Sequence, residues 1–311
     1  MRLLVTGASG FIGRNVLLRA PREWEIVAVY HRTASLTDFV KARGLSHVRA
    51  ILCDLTKADS VKALAAAAGG PIDAVIYLAA NGDPAFSAQF PARDLEQNTV
   101  SLVTFLEHCP AGHVVYMSSG AVYDGLQGAV SPSTPVSPRL PYAISKLASE
   151  HYLRFFCERR GSVGSYINVR FFGAYGPYEA ARKITTRWLS AVAAGQREFV
   201  LRGNGENLID FMYVDDAVDG LLALAKAAGT RLTVDFASGT PVTVNQVVRA
   251  MAEVMNAEVS VRHEGQTEEF IEFRSVDTTM RDRFGFSTSV SLSDGLDRLR
   301  RHLESEAHGQ A

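Results

Sequence analysis

The apolar positions of this chain fall into short runs that alternate with longer stretches of helical spacing. "RLLVTG" is an apolar run closed by a glycine, the stretch from Phe11 to Arg19 is amphipathic, and "EIVAVYHR" is apolar again. The alternation continues through "HVRAILCDL", the helical "KADSVKALAAAA", "DAVIYLAA", a long helical segment over 93–109, and "HVVYMSSG". A strand buried on both faces reads as a continuous apolar run, so this pattern predicts parallel strands with helices on either side. The predicted fold class is α/β, a doubly wound parallel sheet.

Residues 125–141 are rich in Pro, Ser and Gly and read as a surface loop, followed by a helix over 141–160 and the strand "SYINVRFF". Past Gly176-Pro177 the regular alternation breaks. A helix is expected over 182–194, another from about Asp215, and then the strand "RLTVDFA". The break predicts a main unit over 1–172 and a smaller C-terminal α/β lobe over 173–311, mainly for substrate, with some elements returning to the main sheet. Such a lobe would stand over the carboxyl ends of the strands, where ligands of these sheets bind.

Composition narrows the function. The chain has 311 residues, 47% hydrophobic and 21% charged, with a formal net charge of −1. No field of either sign attracts nucleic acid or an anionic membrane, and no run of about 20 apolar residues offers a membrane span. Cys53, Cys109 and Cys157 are far apart and odd in number, and the eight histidines are scattered. Neither a disulfide framework nor a metal site is expected. The first strand begins at Arg2, leaving no room for a secretory leader, so a cytoplasmic location is expected.

Gly7, Gly10 and Gly13, with Phe11 and Ile12 between the last two, lie directly between the first strand and the first helix. Glycines there let the backbone approach a pyrophosphate whose charge is met by amides at the helix N-terminus. The spacing alone is weak evidence; its position makes 1–172 a candidate dinucleotide-binding domain of the Rossmann type. A carboxylate at the end of the second strand would read the ribose 2′-hydroxyl of NAD. That end here is Tyr30-His31-Arg32. Arg32 is suited to a 2′-phosphate, which favours NADP over NAD.

Tyr142 and Lys146 stand four apart near the start of a predicted helix, and so share a face. A free tyrosine is a poor base at neutral pH. Lowering its pKa by about two units takes about 2.7 kcal/mol, within reach of a nearby ammonium and a positive nicotinamide ring. The pair follows a strand ending in Ser118-Ser119. These residues point to hydride transfer at a secondary alcohol or ketone with Tyr142 as general acid and base.

The GxxGxxG loop, the YxxxK pair and the serine before them resemble the extended short-chain dehydrogenase/reductase superfamily, the NAD-dependent epimerase/dehydratase branch, over nearly the whole chain. The resemblance implies that Ser119 bonds the substrate oxygen, with Ser118 the lesser candidate, and that Lys146 also holds the nicotinamide ribose. It adds Asp54 and Leu55 at the adenine, Leu78, Ala79 and Ala80 beneath the cofactor, and Asn98 and Phe171 beside it. "SSGAVY" is similar to a segment of UDP-galactose 4-epimerases, and the acidic residues that dehydratases carry at Gly120 and Ala121 are missing. A 4-ketoreductase or 4-epimerase of nucleotide-linked sugars is therefore expected.

Two positions depart from that family. Gly173 stands where asparagine contacts the substrate diphosphate, and Ile209 replaces the arginine that clamps it. Arg182, Lys183 and Arg187 on a presumed helix, with Arg202 and Arg274, are the candidate replacements for binding an anionic substrate. Two alternatives remain: a dehydrogenase or reductase for a substrate without a nucleotide, and a non-catalytic NADP-sensing binding protein. The resemblance also implies a homodimer through the helices over 93–109 and 141–160, where Leu147, Phe155 and Phe156 suit a buried face or a core.

Overall fold

The computed structural model describes residues 1–266 and 271–309. Among the described residues, seven parallel strands form one sheet. They are β1 (Arg2–Thr6), β2 (Glu25–Tyr30), β3 (Val48–Leu52), β4 (Ile72–Tyr77), β5 (Ala111–Ser119), β6 (Val163–Phe171) and β7 (Arg231–Phe236). Their spatial order is β7-β6-β5-β4-β1-β2-β3. Leu3 is in register with Ile26 on one side and Ala74 on the other, so β1 lies where the winding reverses. A crevice opens at that point, beyond the carboxyl ends of β1 and β4.

Alternation along each strand explains why both faces are covered. Leu3, Val5, Ile26 and Ala28 face α1 (Phe11–Arg19) and a later helix, Val214–Ala225, through Val16, Leu17, Val218 and Leu221. Leu4, Val27, Val29 and Val75 face the opposite layer. That layer includes α3 (Ala58–Ala67), which follows α2 (Ser35–Ala42), and α6 (Ser101–His108), which follows α4 (Pro84–Gln89) and α5 (Pro91–Leu95), and it ends with α7 (Pro141–Phe155). A continuous apolar run thus serves two cores at once.

Three elements differ from the sequence expectation. The long helix over 93–109 is instead α5, a π-helical turn over Glu96–Val100, and α6; the wide turn carries the buried Asn98 and Thr99. Helix α7 likewise passes into a π turn, Phe156–Arg160, and stops at Gly161 with φ +70°. The expected loop over 125–141 holds a short strand, Gln127–Val130, paired in parallel with Glu272–Ser275. Its partner lies far along the chain, so local composition carries no sign of it.

Beyond Phe171 the chain makes short strand pairs, such as Glu198–Arg202 with Ser260–Glu264 and Leu208–Ile209 with Val242–Thr243. α8 (Ile184–Ala193) precedes these strands, and α9 (Val214–Ala225) lies among them in the chain. Residues 231–236 return to the main sheet as β7. All three cysteines are free and buried. No helix among the described residues is long and apolar enough to cross a membrane.

Candidate functional site

The loop after β1 is shaped by glycine at two points. Gly7 has φ +63°, and a Cβ there would stand 2.9 Å from the Ala79 amide nitrogen. At Gly13 a Cβ would collide with the Gly7 carbonyl and approach Ala8 Cα to 2.6 Å. Only bare backbone lets α1 start this close to the strand end. The first turn of α1 has neither a side-chain cap nor an acidic residue, which leaves its amides for a ligand anion. Thr6 Oγ1 accepts from the Leu78 and Ala79 amides at 3.0 and 3.1 Å and so fixes the opposite lip of the crevice.

The crevice is a cleft of about 510 Å³. It is lined by Gly7 and Gly10, by His31 and Arg32 after β2, by Asp54 and Leu55 after β3, and by Leu78, Ala79 and Ala80 after β4. Nine of the expected cofactor positions are therefore brought together. His31 Nε2 stands 3.7 Å from Asp54 Oδ2. Burial raises the Asp54 carboxyl, but its bonds from the Thr56 hydroxyl and amide, with His31 nearby, bring it below the ordinary value. Phe11, Ile12, Gly13, Asn98 and Phe171 do not line this cleft. Phe11, Ile12 and Phe171 pack on the core, and Asn98 is spent on internal hydrogen bonds, because it lies in the buried π turn.

The second group of residues is carried by β5 and α7. Pro141 occupies the first turn of α7, where its missing amide costs nothing. Lys146 Nζ donates to the Met117 carbonyl at 2.8 Å and stands 5.8 Å from the centre of the Tyr142 ring. The Ser119 hydroxyl lies beside the Tyr142 phenol, whose pKa it lowers, and caps the following turn by accepting from Ala121 N at 3.1 Å. Ser118 points elsewhere: its hydroxyl donates to Glu150 Oε1 at 2.5 Å. The two neighbouring serines thus separate, with only Ser119 at Tyr142.

Lys146 and a positive nicotinamide ring together are expected to make the phenol acidic. Within the chain itself burial raises the Tyr142 pKa; Ser119 draws it back and Asp94 pushes it further up. Burial also lowers the Lys146 ammonium to about 8, against the pull of Asp94 and Glu150. In this dry environment, with the ammonium turned to a carbonyl, desolvation is the largest influence on both groups.

Buried polar residues that the sequence motifs missed surround this group. Asp94 accepts from Asn81 Nδ2, Asn98 Nδ2 and Ser145 Oγ at 2.7, 3.0 and 2.7 Å. Glu150 is bound by both the Nε and Nη2 of Arg170, at 3.1 and 3.0 Å. Arg170 also donates to Tyr123 OH, which donates to Asp235 Oδ1. A signal existed for two of them: Glu150 lies one turn after Lys146, and Asp94 one turn before Asn98.

The arginines proposed for the substrate do not form one group. Arg182 and Lys183 precede α8 rather than lying on it, and Arg182 pairs with Asp83 at 3.3 Å. Arg187 is an exposed residue of α8, and Arg202 ends the strand Glu198–Arg202. Arg274 is exposed, while its neighbours Phe273 and Ser275 turn inward to Tyr123 and Asp235. At Gly173 the backbone has φ +154°, and an added Cβ would press on Phe211 Cβ at 3.3 Å.

The family model described as NAD dependent epimerase/dehydratase family matches residues 3–234. A dTDP-glucose 4,6-dehydratase of Mycobacterium tuberculosis (strain ATCC 25618 / H37Rv) is 32% identical over 232 residues, 70% of this chain; the match spans 66% of that relative, just under two thirds. A UDP-glucose 4-epimerase of Mycolicibacterium smegmatis is 28% identical, with 95% of this chain and 96% of the relative covered. The solved structure of MoeE5 in complex with UDP-glucose and NAD has a TM-score of 0.84 at 26% identity, covering 99% of this chain and all of that one. The UDP-glucose 4-epimerase of Thermotoga maritima has a TM-score of 0.87 at 22% identity, with 99% and 100% covered, and shares the fold.

Proposed function

This chain belongs to the NAD dependent epimerase/dehydratase family, and from that premise we propose that it moves a hydride at a secondary alcohol or ketone of a nucleotide-linked sugar, as a 4-ketoreductase or 4-epimerase. The observation that carries the proposal is the meeting of Ser119, Tyr142 and Lys146 at the carboxyl end of β5. The glycine cradle and the uncapped start of α1 fit a dinucleotide pyrophosphate. The glycine cradle would hold a nicotinamide cofactor that would supply the hydride carrier, recycled in an epimerase and consumed in a ketoreductase. Tyr142 holds the proton that leaves or joins the substrate oxygen, Ser119 orients that oxygen, and Lys146 supplies positive charge beside the phenol.

Water elimination is disfavoured. Residues 120 and 121 carry no carboxyl, and a Cβ at Gly120 would press on the Phe172 ring at 3.1 Å. NAD is bound in the MoeE5 complex. For this chain, Arg32 in the cleft, with no acid at the end of β2, supports NADP. The free, buried thiols suit a reducing, cytoplasmic setting. An exposed apolar row over Leu95, Val100, Ile144, Tyr152 and Phe155 supports a homodimer through the helices around α5–α6 and α7. Phe156 is not part of it, being buried in the core.

A second reading, a substrate without a nucleotide, draws on Gly173 and Ile209. The backbone at Gly173 disfavours any side chain that would bind a diphosphate, and Ile209 offers none. The test is to incubate the protein with each cofactor and a panel of UDP- and dTDP-sugars, following reduced nicotinamide and the sugar products. Tyr142→Phe is expected to lose about 100- to 10,000-fold in turnover while still binding cofactor. Full activity in that variant refutes the assignment.

A further inference from the structure

Lys146 is 3% exposed, yet its one hydrogen bond is to the Met117 carbonyl. Tyr116 lies beneath it at 5.2 Å and Tyr142 beside it, and no carboxylate stands within ion-pair distance among the described residues. A buried ammonium so placed needs a negative charge nearby to stay charged. Two buried carboxylates flank it, Asp94 from α5 and Glu150 one turn along α7. Glu150 is already matched by the fork of Arg170 from β6 and by Ser118 of β5. Asp94 is 1% exposed and held only by neutral donors: Asn81 beyond β4, Asn98 in the π turn and Ser145 on α7. Its charge has no cation at contact distance among the described residues.

We propose that Asp94 is a positioning residue: its buried carboxylate is the counter-charge of Lys146, and its bonds to Ser145 and Asn98 lock the turn of α7 that carries Tyr142 and Lys146 to the π turn. The two charges do not touch. Ser145, next to Lys146 in the chain, donates to the Asp94 carboxylate, so that carboxylate is tied to the turn that carries the ammonium without pairing with it. This inference rests on the reading of Tyr142 and Lys146 as the proton-handling pair.

The chain has six lysines, so carbon-13 labelling of the lysine Cε resolves each titration in the full-length protein, with Lys146 assigned by its disappearance in Lys146→Arg. In the native protein Lys146 is expected to titrate near pH 8. In Asp94→Asn its midpoint should fall by about one unit or more. Turnover of that variant at pH 8 should drop about tenfold with KM unchanged, and recover towards pH 6. An unmoved Lys146 midpoint overturns the proposal. If Asp94→Asn does not fold, the native protein still decides: Lys146 neutral at pH 7 also overturns it. Full turnover by Tyr142→Phe would instead remove the catalytic reading and leave the charge pairing to stand or fall on the lysine titration.

Discussion

At the scale of single residues, position in the chain and position in space separate most clearly at Ser118 and Ser119. Adjacent residues of a strand point to opposite sides, so Ser119 reaches Tyr142 while Ser118 is drawn to Glu150. The sequence set Ser119 above Ser118 only through a resemblance. Arg32 is the residue on which cofactor choice turns. It lines the cleft and is exposed, and Asp54 across the gap already bonds Thr56 and faces His31. NADP is expected to bind more tightly than NAD in calorimetric titration. Arg32→Ala should weaken NADP by roughly 10- to 100-fold, the worth of a charge-assisted bond of about 1.5–3 kcal/mol, and leave NAD unchanged. If the native protein prefers NAD by tenfold, Arg32 is an ordinary solvated side chain.

Among elements, α7 does the most work because its faces are used separately. Lys146, Ser149, Glu150 and Leu153 are buried, while Ile144, Tyr152 and Phe155 are 44–47% exposed. Leu95 and Val100, at 46% and 43%, extend the apolar row onto the neighbouring helix. Neighbouring apolar side chains left open to water are the mark of a surface meant to be covered. Phe155→Glu, set against a second copy's apolar row, should shift sedimentation from dimer to monomer at micromolar concentration, with the circular dichroism spectrum unchanged. A native protein that sediments as a monomer would assign these residues to no dimer. Leu147, which suits a buried face or a core, packs partly buried beside Val122, Tyr123 and Val130.

The whole molecule is tied together by elements that come late in the chain. β7 supplies the seventh strand, and Phe236 at its end lies so close to α9 that a Cβ at Gly220 would run into the ring. α9 covers α1 and the sheet, and Arg19 of α1 binds Asp219 in bidentate fashion at 3.0 and 2.6 Å. Removing everything after residue 172 would uncover one face of the sheet and open β6 as an edge. Losing the burial of Val218, Leu221, Val234 and Phe236 alone amounts to about 6–12 kcal/mol, comparable with the entire stability of a typical domain, about 5–15 kcal/mol. The fragment 1–172 is therefore expected to show no cooperative urea transition, and the full chain a single one; a cooperative fragment would make the N-terminal part self-sufficient. What the sequence by itself determined is what depends on near neighbours: the alternating strands and helices, the glycine turn, and the one-turn spacing of Tyr142 and Lys146. Only the tertiary structure decided which charges share the interior. Asp94, Glu150 and Arg170 come from three elements, and whether a buried ammonium keeps its proton depends on distances through space that spacing along the chain does not encode.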